Sequence, residues 1–184
     1  MKKLKIFPIF LAVWPYICAV LLWFLNDISE QFQGIIMKTC IVMTIAIYLF
    51  NVVLACAYKA EGDDYHLAFW DMVTKLIHIP FYIGIFVIGL IFLVLTVVPV
   101  FIMVSPFVII MLVIIDFFLM LTSSSYGINA VIRAKRKGKV LTLFTVVNII
   151  LHLFFVTDII SAIVVYVKLR KNKKIDEQKK YEQI

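Results

Sequence analysis

The stretch "IPFYIGIFVIGLIFLVLTVVPVFIMVSPFVIIMLVIIDFFLML", residues 79–121, runs for 43 residues with a single charge, Asp116. As one helix it would reach about 65 Å, roughly twice the thickness of a bilayer's hydrocarbon core. It therefore has to fold back or lie partly flat. Pro99 and Pro106 flank VFIMVS, and proline removes a backbone donor and disfavours helix in the residue before it. The break is expected there, dividing the run into spans at 79–98 and 100–121.

Three further apolar segments, 6–25, 35–58 and 140–167, surround this pair. Each exceeds the roughly 18 residues that indicate a membrane span. The expected fold class is all-α: a polytopic transmembrane helix bundle with five apolar segments. The alternative is four full spans plus a re-entrant or interfacial segment. One transmembrane domain, 1–167, and a charged polar tail, 168–184, account for the chain. Composition points the same way, with 64% hydrophobic and 16% charged residues and a mean hydropathy of +1.07. Soluble domains carry roughly 45–50% apolar and about 25% charged residues. The N-terminus begins with basic residues, but its apolar stretch is too long for a secretory signal and no small-residue cleavage site follows it. A retained first helix is expected.

Charge distribution and segment length disagree about the number of crossings. Lys and Arg number three before the first span, none in the first loop, two in the second, five in 133–139 and seven in the tail. The positive-inside rule places the N-terminus in the cytoplasm. Five spans put the tail outside; four put the 133–139 loop outside. Charge counting favours four. Segment length favours five, which is the preferred count. The connection 59–78 is expected to turn at Gly62, cap a helix at Asp63 or Asp64, and continue as an amphipathic helix. In it Phe69, Val73, Leu76 and Ile77 share one side and Asp71, Lys75 and His78 the other. That helix lies at the interface or extends the third span.

Ionisable residues inside a membrane are costly and mark candidate sites. If 122–139 is a hairpin loop, Asp116 and Thr145 are equidistant from it and share a depth. Asn148 and His152 continue the face of Thr145. Asp116, Thr145, Asn148 and His152 thus form a candidate polar group, whose commoner role is an interhelical hydrogen-bond cluster. Asp158 is deeper, with Ser161 one turn on and no basic residue within a turn. On a continuous helix His152 would point away from it by roughly 120°, leaving the break at Ser105 or the second span as partners. In the second span Thr44, Tyr48, Asn51, Ala55 and Tyr58, extended backwards by Cys40, fall on one helical face. That face is expected to pack on protein.

Chemistry beyond these groups is sparse. Cys18, Cys40 and Cys56 lack CxxC spacing and read as buried thiols. The sequence contains no HExxH, glycine-rich phosphate loop or GxSxG elbow, so no enzyme is expected. "GDDYH" at 62–66 reads as a solvated turn and helix cap, with no second ligand cluster to make a metal site. No cofactor is expected. The basic loop and tail adjoin spans and suit anionic lipid headgroups, not nucleic acid. Expected partners are the bilayer, those headgroups, and a membrane-protein partner or further copies of the chain. The Lys-, Ile- and Phe-rich texture resembles small multi-pass proteins of bacteria, with the cell membrane as the expected location. An accessory, scaffold or self-protection component of a membrane complex is the leading functional expectation. A small oligomeric transporter or channel using Asp158 or Asp116 is the other.

Overall fold

The computed structural model describes residues 2–24, 29–58 and 63–182. They form helices throughout: α1 Lys2–Trp23, α2 Glu30–Ala57, α3 Asp63–Leu95, α4 Val104–Arg136, α5 Thr142–Leu151 and α6 Phe155–Glu182. Four of these, α1 to α4, are long and apolar enough to cross a membrane, and α5 is a shorter apolar helix. The bundle is all-α with five apolar segments, as its periodicity requires. The expected turn at Gly62 lies outside the described residues.

The long apolar run breaks between Leu95 and Val104 around Pro99, giving antiparallel α3 and α4. Each is 33 residues long, or about 50 Å, and so outruns the apolar sequence. The connection 59–78 therefore contributes no separate interfacial helix; from Asp63 onward it is the first half of α3. At the other end, α4 continues through TSSSYGINAVIRAKR to Arg136. The residues expected to form a loop from 122 are helical because their small side chains pack: Ser123, Ser124, Gly127, Ala130 and Ala134 are buried. Small residues let neighbouring helices approach closely.

The real turn is only 137–141. Gly138 adopts φ +70°, a left-handed conformation suited to glycine. Gly138 N–H donates to Lys135 O and Lys139 N–H to Ala134 O. These two bonds are the Schellman closure of a helix end.

The segment 140–167 is interrupted at 152–154. Its first half, α5, has 10 residues, about 15 Å, half of a hydrocarbon core. The chain then reverses into α6. Ser161 Oγ donates to Asn148 Oδ1 at 2.8 Å, and farther along Asn172 Nδ2 donates to Lys139 O at 2.9 Å. α5 and α6 are thus a hairpin that returns to the end at which it started, matching the four-span alternative with a re-entrant segment.

This hairpin removes the charge conflict. α1 runs antiparallel to α2, with Phe7 against Phe50 and Trp14 Nε1 donating to Thr44 Oγ1 at 2.8 Å. α2 and α4 run parallel and end together, where Arg133 donates to Tyr58 O and Cys56 O. The basic start of α1, the turn after α4 and the tail of α6 meet at this end. Lys75 is buried deeper, about 16 Å from Asp64 along α3. Lys38 lies elsewhere in the sequence.

Candidate functional site

The first half of α3 is amphipathic in the sense opposite to a soluble helix. Asp64, Asp71, Thr74, Lys75 and His78 are buried, while Leu76 and Ile77 are exposed. A polar stripe turned inward is what a hydrocarbon surrounding selects, because a charge facing lipid costs about 2.5–3.5 kcal/mol on insertion scales.

Four ionisable side chains from this stripe and from the hairpin converge on one point. Lys75 Nζ is 2.9 Å from Asp71 Oδ1, one turn away, and bonds to Asp158 Oδ1 in the first turn of α6. His152, at the end of α5, sits between the carboxylates. Its Nε2 is 3.3 Å from Asp71 Oδ2 and its Nδ1 is 3.5 Å from Asp158 Oδ1. From α4, Ser124 Oγ lies 2.9 Å from Asp158 Oδ1 and 3.2 Å from His152 O. Every member is at most 1% exposed. Gly127 supplies the room: a Cβ there would overlap His152 Nε2 and Asp71 Oδ2. Two carboxylates against one ammonium leave one negative charge over.

The quartet lies beneath a charged rim. Asp64 is buried and pairs with Lys137 at 2.8 Å and Lys139 at 3.3 Å, so the aspartate expected in a solvated cap instead ties α3 to the turn after α4. From Asp64, Asp71 is about 10 Å and Lys75 about 16 Å along α3. Arg133 donates to Ala55 O, Cys56 O and Tyr58 O, filling carbonyls that the end of α2 leaves without helical partners.

The expected group around Asp116 is separated. Thr145 and Asn148 are buried, but Thr145 Oγ1 donates to Leu141 O and Asn148 Nδ2 to Phe144 O. With the turn at 137–141 instead of 122–139, Asp116 lies 20 residues before Arg136, about 30 Å along α4. Thr145 is only four residues after Leu141, so the two do not share a depth. Asp116 lines a groove between α3 and α4 instead. His152 and Ser161, by contrast, are brought close to groups of the same hairpin. His152 meets Asp158 because the helix breaks between them, which cancels the angular separation expected on a continuous helix. Asp158 finds its base on α3, not at Ser105 or on α2.

On α2, Asn51 and Ala55 are buried and Thr44, Tyr48 and Tyr58 half-buried. Tyr126 OH donates to Asn51 Oδ1 at 2.6 Å. Asn51→Leu is therefore expected to lower stability by about 0.6–2 kcal/mol, the range for one interhelical hydrogen bond in a membrane. A melting curve in detergent reads it, and Tyr126→Phe in the same background should add little. The three cysteines are free; Cys18 and Cys40 are half-buried, while Cys56 is exposed and not buried as expected.

Asp71, Lys75, Ser124 and Gly127 complete the site without having been singled out in the sequence as its members. The available signal was the contiguous stripe of Asp71, Thr74, Lys75 and His78 running straight into an apolar span. Among the described residues no cluster of three or more His, Cys, Asp or Glu is arranged to hold a metal. No match was found among curated proteins or among solved structures. A family of unknown function (DUF6652) matches residues 4–174, from α1 into α6, and the chain belongs to that family.

Proposed function

We propose that this protein is a non-enzymatic component of a membrane assembly, built to hold a re-entrant hairpin in a fixed seat. The observation that carries this reading is that the side chains of the Asp71–Lys75–His152–Asp158 quartet take one another as partners inside the protein, across α3, α5 and α6. A transport site leaves a coordinating group for its solute; here Lys75 already occupies the position between the carboxylates. The N-terminus and the basic rim face the cytoplasm of a cell membrane in this reading, where Lys and Arg of the turn and tail attract anionic headgroups at about 1 kcal/mol each.

A small transporter is the second reading, favoured by the number of intramembrane ionisable groups. Purified protein in sealed vesicles distinguishes them. The component reading expects the same proton and monovalent-cation flux from wild type, Asp158→Asn and protein-free vesicles. Flux in wild type that Asp158→Asn abolishes and Asp158→Glu retains contradicts it and supports the transporter.

A further inference from the structure

The hairpin covers only part of the α3–α4 pair. Beyond its tip, Tyr82, Ile83, Phe86, Leu90, Val113 and Asp116 line a groove of about 520 Å³. Asp116 Oδ1 is screened from the surroundings and has no hydrogen-bond partner among the described residues. Asp116 lies about 18 Å along α4 from Val104, too deep for a lipid headgroup to reach. What complements it must be a group carried at that depth by another helix.

The chain itself carries such a group. Lys38, on α2, is exposed, and no ion pair joins it to another described residue. It lies about 12 Å along the helix from Glu30, still within the apolar stretch. The register between parallel α2 and α4 gives its depth: Asn51 meets Tyr126 and Tyr58 meets Arg133, each pair 75 residues apart. The same offset puts Asp116 level with Ile41, so Lys38 is displaced by less than one turn, about 4.5 Å, within reach of a lysine stem. Around Lys38, the exposed Val42, Ile45 and Leu49 follow at helical spacing and form an apolar ridge.

We propose that the groove receives α2 of a second copy, with Lys38 of one copy paired to Asp116 of the other. An oligomer axis along the membrane normal keeps both residues at their own depths, so the match in register within one chain becomes a match between chains. Each charge is costly alone in hydrocarbon, and the pair removes both costs together. This interface rests on reading the chain as an assembly component and names its partner.

The test uses full-length chains in membranes, with Cys18, Cys40 and Cys56 replaced by alanine. One tagged copy carries Val42→Cys and a differently tagged copy Val113→Cys, leaving both charges in place. Oxidation is expected to give a mixed-tag disulfide dimer. Asp116→Asn or Lys38→Gln should each reduce it about tenfold, the equilibrium change that corresponds to 1.4 kcal/mol. The exchange Lys38→Asp with Asp116→Lys should restore it. Melting temperature confirms that each variant is folded, and if the exchanged chain does not fold, the two conservative variants decide. No mixed dimer, or a dimer indifferent to the conservative variants in folded protein, overturns the proposal. So does failure of the folded exchange variant to restore it. The vesicle flux assay is independent of this contact, so loss of the dimer with no flux removes the interface while leaving the component reading intact.

Discussion

Lys75→Met is expected to lower the stability of the folded protein by about 3–5 kcal/mol, the range for removing one partner of a buried ion pair. The ammonium is the single cation held by both Asp71 and Asp158. Without it two carboxylates remain enclosed with only Ser124 and His152 beside them. Asp158→Asn should cost far less, because asparagine keeps the size and can still accept from Ser124, while Lys75 retains Asp71. The triple variant Asp71→Asn, Lys75→Met, Asp158→Asn should recover most of the loss, since replacing a whole buried ionic group by neutral ones is often tolerated. Chemical denaturation in mixed micelles measures all three. Equal losses for Lys75→Met and Asp158→Asn would show that the charges do not share one ammonium.

The second large effect is expected at Gly127. A helix interior ordinarily gains about 1 kcal/mol when glycine becomes alanine. Here the sign should reverse, because the new Cβ meets His152 Nε2 and Asp71 Oδ2, both fully buried. Overpacking of this kind costs about 1–3 kcal/mol, and Gly127→Val should exceed Gly127→Ala. The predicted consequence is specific to the hairpin. A cysteine introduced at Ile159 should react with a maleimide faster in Gly127→Val than in the parent, while one introduced at Val42 reacts equally in both. Gly127→Ala that melts at or above the parent temperature would mean that His152 has room to move and does not fix the hairpin.

The position of the break in the long apolar run was legible because 43 residues outrun one crossing and Pro99, midway along them, lies in the turn; Pro8, Pro15 and Pro80, in segments with no such excess length, stay inside helices. The inward face of α2 was legible from periodicity, since Asn51 and Ala55 are the buried members of an otherwise lipid-like helix. The serines at 123–125 misled because their propensity favours turns. In α4 their small volume is what matters, and a packing contact with distant α3 and α5 leaves no local mark. With the turn at 137–141 instead of 122–139, Asp116 is also far from Thr145 and Asn148. Periodicity separated the two faces of residues 69–78 correctly, but it does not say which face points inward. Without that, Lys75 was not recognisable as the partner of Asp158, 83 residues away. The reversal at 152–154 was equally hidden, because the segment contains no proline or glycine to announce it.

In the proposed topology α5 and α6 enter and leave the membrane on one side. Single cysteines placed by Gly138→Cys, Lys174→Cys and Val100→Cys in a cysteine-free chain test it directly, using an impermeant maleimide on sealed right-side-out and inverted vesicles. Residues 138 and 174 should label in the same vesicle orientation, and residue 100, at the α3–α4 tip, in the opposite one. Labelling of 138 and 174 from opposite sides would mean that 140–167 crosses the bilayer, and the re-entrant hairpin with its four-residue seat would be wrong.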